Sequence, residues 1–252
     1  MNGRRWKLLL AAGLALASAL LYLAFYRVHP DAVVIEDWFL GSLAFVPFQV
    51  LLVTLIVDGL LGTREQQARL KKLNIVIGVF FSEVGMELLG ACLALEKRAA
   101  LLREELGNAS GWSPAKLQAE AQRFRAWSPA AEPRVAELER VRELLVSRRG
   151  VLTSLMTNPS VLEHEGFTDL LWAVFHLAEE LGERGKVGEL PASDLAHLAG
   201  DVQRVFPILI AEWLSYLRHL QEDYPYLYSL AGRTNPFDPE ARVEVRAKGP
   251  GP

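Results

Sequence analysis

The chain has 252 residues, 51% of them hydrophobic, with 27 basic and 30 acidic side chains and a single cysteine. That length accommodates one good core plus membrane segments, and no more than about two domains. The nearly balanced, interspersed charges leave no basic field for nucleic acid, and the lone Cys92 excludes an intramolecular disulfide framework and points to a reduced compartment for the main domain.

Arg4, Arg5 and Lys7 precede Leu8 to Tyr26, a run of nineteen residues without a charge. At ~1.5 Å per residue this run just crosses a hydrocarbon layer of ~30 Å. Ala15-Leu16-Ala17 and Ala17-Ser18-Ala19 fit a signal-cleavage pattern, but Leu20 to Tyr26 carry the apolar run past both sites. The expectation is an uncleaved anchor over about 8–26. Trp38 to Leu61 is the second expected span, with Pro47 and Gln49 at mid-depth and Asp58 near its far end. Pro47 removes a helical donor and should kink the span. Gln49 reads as an amide bonded to the first span, in preference to the lining of a substrate path. Basic residues flank the outer ends of this hairpin (Arg4, Arg5 and Lys7 before it; Arg64, Arg69, Lys71 and Lys72 after it), whereas the intervening loop holds Arg27 with Asp31, Glu36 and Asp37. Both chain ends are therefore expected in the cytoplasm.

Residues 73–95 are membrane-grade in hydropathy, yet Glu83 and Glu87 lie in their middle. On a helical wheel Leu70, Ile77, Phe81, Val84, Leu88, Cys92 and Leu95 share one face, and Glu65, Arg69, Lys72, Glu83, Glu87, Lys97 and Arg98 gather on the other. Each carboxylate would cost on the order of 3 kcal/mol in a bilayer, which the apolar residues could largely offset. Topology decides the expectation, since a third span would export Lys97, Arg98 and Arg103. The helix is expected to be cytoplasmic, with its apolar face against other helices. The alternative is an intramembrane Glu83–Glu87 pair binding a proton or cation.

Further along, Ser113 and Pro114 form a strong helix start, as N-cap and first helical residue. The spacing predicts helices over 115–127, 134–149, 168–183 and 191–223, with Pro207 bending or dividing the last. Between them, 128–133 and 150–166 read as breaks, and Tyr224-Pro225-Tyr226 as a stop. The tail from Thr234, with Pro236, Pro239, Pro250 and Pro252, reads as extended and partly disordered. No strand alternation or internal repeat is present. The expected fold is all-α: a transmembrane hairpin over 1–62, a cytoplasmic helical-bundle domain over 63–233, and a disordered tail over 234–252.

The chain has no phosphate-cradling glycine loop, no cysteine pair, no GxSxG and no HExxH. Histidine–carboxylate pairs remain: His164 with Glu165, His176 with Glu179 and Glu180, His197 with Asp201, and His219 with Glu222 and Asp223. Their helical spacing puts histidine and acid on one face, as a metal centre in a helical bundle requires. The order His-x-x-Glu reverses that of carboxylate-bridged di-iron bundles, so ordinary surface pairs are expected. No catalytic, cofactor-binding or metal-ligating residue, and no cofactor, is assigned. The aromatic cluster Trp213, Tyr216, Tyr224, Tyr226 and Tyr228 reads as core closure.

The stretches LGSLAFVPFQVLLVTLIVDGLLG, KLNIVIGVFFSEVG and YPYLYSLAGRTNPFDP resemble segments of a set of prokaryotic predicted membrane proteins with no assigned activity. The resemblance implies an N-terminal hairpin followed by a cytoplasmic helical domain, and brings no catalytic residues with it. The leading expectation is a non-enzymatic interaction, scaffold or sensing module of the inner (plasma) membrane. Its partners would be the lipid bilayer and a second copy or another membrane protein, with no nucleic acid. The alternatives are an oligomeric channel or transporter component using Pro47, Gln49, Asp58, Glu83 and Glu87, and a helical-bundle metalloprotein.

Overall fold

The computed structural model describes residues 73–162 and 164–244, together with isolated helical positions at 20, 23, 24, 27, 42, 46, 49 and 53. The chain divides into two compact units, Met1–Gln66 and Gln67–Pro252. Among the positions singled out in the expected spans, Gln49 is helical and exposed. Pro47, Asp58 and the greater part of both runs lie outside the described residues.

The second unit is all-helical, and its helices are labelled here in chain order. Helix α1 is Leu73–Leu95, α2 Ala99–Leu106, α3 Pro114–Arg125, α4 Val135–Ser147, α5 Arg149–Met156, α6 Glu165–Glu183, α7 Ala192–Asp223 and α8 Pro225–Arg233. No β-strand occurs among the described residues, only an isolated bridge between Glu96 and Ala131.

Helix α1 owes its place to its apolar face. Ile77, Phe81, Val84, Leu88, Cys92 and Leu95, the wheel residues that are described, are all buried, as are Leu73, Val76, Phe80, Leu89, Ala91 and Leu93. The width of this face has a local cause. Residues Phe81–Gly85 form a π-helical turn, which inserts an extra residue into the helical repeat and turns neighbouring positions inward. Phe80 and Phe81 thus both face the core, at 5.2 Å and edge to face. Phe80 meets Phe167 of α6, and Phe81 stacks on Tyr216 of α7 at 5.1 Å. Gly85 closes this turn with no room to spare, because a Cβ there would come within 2.5 Å of the Phe81 ring. By length and composition α1 could cross a membrane, but its inner apolar face is packed against protein, where burial is satisfied without lipid.

Helix α1 ends at Glu96, whose side chain is buried. Glu96 Oε1 accepts from the Arg98 backbone N–H at 3.0 Å and its Nε at 3.1 Å, while Oε2 accepts from Ala130 N at 2.7 Å. This carboxylate and the backbone bonds Lys97 N to Ala130 O and Glu132 N to Leu95 O tie the end of α1 to the 128–133 break. Ser113 caps α3 as expected, its Oγ accepting from Lys116 N at 3.3 Å, with Pro114 in the first turn. Helix α4 buries Leu138, Val141 and Leu145, while Val135 at its start is exposed.

Helix α7 is the axis of the unit. It packs against α1, α3, α4, α6 and α8, and it continues unbroken through Pro207, which is buried. Proline's missing donor therefore does not divide it. Leu198, Val202, Val205, Leu209, Trp213, Leu217 and Leu220 are buried at three-four spacing, with Leu195 half-buried before them.

Three expectations need correcting. The first part of the 150–166 break is helix α5; Leu152 and Leu155 are buried there, and tertiary burial overrides the poor helix propensity of Gly150, Val151 and Thr153. Helix α6 begins three residues before Thr168, because His164 Nδ1 accepts from Phe167 N at 3.1 Å and caps it. Finally, the tail is docked at its start. Asn235 and Phe237 are buried; Asn235 Nδ2 donates to the carbonyls of Leu106 and Gly107, both at 2.9 Å, and the Phe237 ring lies 5.2 Å from Trp213. The buried amide and aromatic ring bind the tail strongly enough to overcome the proline-rich composition.

Phe237→Ala is expected to destabilise the protein by about 3 kcal/mol, the usual loss for a fully buried ring, whereas Tyr226→Ala, at an exposed ring, should stay within about 0.5 kcal/mol. Urea unfolding followed by tryptophan fluorescence checks both, and a disordered tail would make the Phe237 change silent.

Candidate functional site

Two clusters of polar side chains lie on α7, one at each end. The C-terminal one lines a cavity of about 500 Å3, walled by Asn74 and Ile77 of α1 and by Glu212, Tyr216, His219 and Asp223 of α7. Glu212 is almost fully buried and forms an ion pair with Arg125 of α3. His219 Nδ1 stands 3.1 Å from Asn74 Nδ2 and 2.9 Å from Asp223 Oδ2. It can serve only one of them at a time, as acceptor from the amide or as donor to the carboxylate. Burial lowers the His219 pKa below its ordinary 6.5, against the opposing pull of Asp223 and Glu222. Glu222 and Asp223 are themselves exposed.

The N-terminal cluster spans two helices. His176 and Glu180 are four apart on α6, and His197 and Asp201 are four apart on α7; the packing of α6 on α7 brings the two pairs together. His197 Nε2 lies 3.4 Å from Glu180 Oε2 and 3.5 Å from Asp201 Oδ2, while His176 Nε2 lies 4.0 Å from Asp201 Oδ1. Arg184 Nη1 donates to Glu180 Oε2 at 2.7 Å and its Nε to Asp194 Oδ2 at 2.8 Å. Arg204 Nη1 donates to Asp201 Oδ1 at 2.7 Å. The hydrogen bond from Arg184 holds the Glu180 carboxyl below its usual range. Asp201 is set apart by burial: its side chain is 2% exposed, against 52% for His197.

The sequence pairs are thus redistributed. Glu179 leaves the histidines for Arg149, 3.0 Å away. His164 is a helix cap, and His219 belongs to the cavity at the other end of α7. The spacing within each helix was legible, but the pairing of Glu180 with His197 across the α6–α7 joint leaves no trace in linear spacing. Glu83 and Glu87 are both exposed, and Glu83 Oε2 lies 3.5 Å from Arg148 Nη1. Of the aromatic cluster, Trp213 is core, Tyr216 stacks on Phe81, Tyr228 Oη donates to Ser110 O at 2.7 Å, and Tyr226 is exposed. Cys92 is fully buried, which pushes its thiol pKa up to about 12 and leaves it protonated.

A helical unit of this kind, preceded by a separate N-terminal unit, matches two family descriptions. Residues 69–233 match "Uncharacterized protein MJ1433, C-terminal helical domain", and residues 2–61 match "MJ1433, N-terminal helical domain". The chain belongs to this MJ1433 family. It is 42% identical over 238 residues, 94% of this chain and 96% of the relative, to the uncharacterized protein MJ1433 of Methanocaldococcus jannaschii. No solved structure matches the chain.

Because the folded state favours neutral His219, it binds fewer protons there than the unfolded chain does. Its contribution to stability is complete above the unfolded value of 6.5 and declines as pH falls below it. His219→Gln should therefore flatten the fall in urea midpoint between about pH 7.5 and pH 5.5. An unchanged slope would show that other groups carry the acid limb.

Proposed function

We propose that the chain is a membrane-anchored, non-enzymatic helical interaction or scaffold module, held at the cytoplasmic face of the plasma membrane by residues 1–62 as a two-span hairpin. The observation that carries this reading is the burial of α1. A long apolar helix whose inner face is taken up by the bundle core leaves 8–26 and 38–61 as the segments best suited to lipid, and supports a folded body on one side of the membrane. The charge pattern supports the same side for both chain ends.

The edge of the helical unit supports it as well. Ile75, Val79 and Leu227 are exposed, and with Tyr224 they line a shallow, mainly apolar groove where α1 starts. The chemistry of this rim suits a headgroup layer, where aromatic and aliphatic side chains are favoured. Self-association through the hairpin, or pairing with another membrane protein, supplies the partner.

Full-length protein is expected to remain in the membrane fraction after an alkaline wash, and a variant lacking residues 2–66 to be released. A reporter at the C-terminus should be active only in a cytoplasmic format. Recovery of full-length protein in the soluble fraction, or activity solely in an extracytoplasmic format, would sink the reading.

A further inference from the structure

We propose that Glu180, His197 and Asp201, with His176 beside them, form a binding site for a divalent first-row transition-metal ion at the joint between α6 and α7. This inference is independent of the membrane reading. It starts from a buried oxygen. Asp201 Oδ2 is shielded from water and has no hydrogen-bond partner, a costly state for a carboxylate. The nearest polar group named above, His197 Nε2 at 3.5 Å, is too far for a hydrogen bond.

The same distance suits a shared ion. Metal–ligand bonds of ~2.0–2.1 Å in tetrahedral geometry place neighbouring donor atoms ~3.3–3.4 Å apart. His197 Nε2 is 3.4 Å from Glu180 Oε2 and 3.5 Å from Asp201 Oδ2, and one donor atom from each of the three residues lies within 4.8 Å of the other two. One imidazole with two carboxylates favours a borderline ion such as zinc over calcium or magnesium. His176 Nε2, 4.0 Å from the other Asp201 oxygen, stands at the edge of the cluster.

The surrounding charges fit an outer shell. Arg184 donates to Glu180 Oε2 and orients it, leaving that oxygen a second lone pair. Arg204 holds Asp201 Oδ1, not the orphan Oδ2, and is itself mostly exposed. Three carboxylates (Glu180, Asp194, Asp201) against two guanidiniums (Arg184, Arg204) leave the cluster one net negative charge. The arrangement is anchored at its buried end by Asp201 and open to water at His197, so an ion can enter without unfolding the helix pair.

The test uses tag-free full-length protein in detergent, stripped with a chelator and titrated with zinc chloride in competition with a fluorescent zinc chelator. One equivalent is expected to bind. His197→Ala, at an exposed position that leaves the core untouched, should weaken binding at least ~100-fold, and isosteric Asp201→Asn should do the same with helical circular dichroism unchanged. His219→Ala, at the far end of α7, should bind as wild type. Absence of zinc uptake by the wild type, wild-type affinity in His197→Ala, or uptake abolished by His219→Ala would each overturn the site; wild-type affinity in Asp201→Asn would overturn Asp201 as a ligand.

Discussion

The rest of the structure depends on how completely α7 is enclosed. Five helices pack on it, so two of its carboxylates are shut in along with the leucines, while Arg204, Glu222 and Asp223 stay at the surface. Glu212 and Asp201 are each about 1% exposed. A carboxylate in that position is tolerated only with a compensating group, because desolvation costs several kcal/mol per ion. Glu212 receives the Arg125 guanidinium from α3, fixing α3 against α7. Asp201 receives Arg204 from its own helix at Oδ1, and His176 of α6 comes within 4.0 Å of the same oxygen. The acids that α7 buries thus mark its contacts with α3 and α6.

Much of this was legible in the sequence, for reasons that differ between elements. The α1 seam followed from three-four spacing, which survives folding because each of its described residues packs inward. Ser113-Pro114 announced α3 because a cap is a local interaction among neighbours. What escaped was non-local. Helix α5 forms because Leu152 and Leu155 find a core, which their own neighbours do not reveal. The tail docks because Asn235 reaches two carbonyls more than a hundred residues upstream. The π-helical turn widens the face of α1 beyond what a regular wheel can represent, adding Phe80 and Leu89 to the seam.

The candidate metal cluster shows the same division. Each half, His176 with Glu180 and His197 with Asp201, has the i, i+4 spacing that any helix reading detects. Their union depends on the connection from α6 to α7, which runs through Arg184 and the turn at Val187–Glu189. Val187 is buried, and its N–H donates to Glu139 of α4 at 2.9 Å. Arg184 then reaches forward to Asp194 and back to Glu180, which sets α6 and α7 in register. The sequence shows the ligand types but not the register, and the register makes four side chains into one site.

The place of α1 is the last step. A helix this apolar has two solvents to choose from, lipid and the protein core, and the transfer of its seam is favourable in either. The difference lies on its other face. In the bundle Glu83 reaches water and Arg148, and Glu87 reaches water; in a bilayer the two would sit near mid-depth at a combined cost of about 6 kcal/mol on insertion scales. The aromatic contacts add to the same side of the balance, since Phe80 against Phe167 and Phe81 against Tyr216 are worth roughly 0.5–1.5 kcal/mol each beyond burial and have no counterpart in lipid. Two acidic residues on an otherwise membrane-like helix therefore weigh on the side of the bundle: they leave packing there unhindered and add a cost to the alternative.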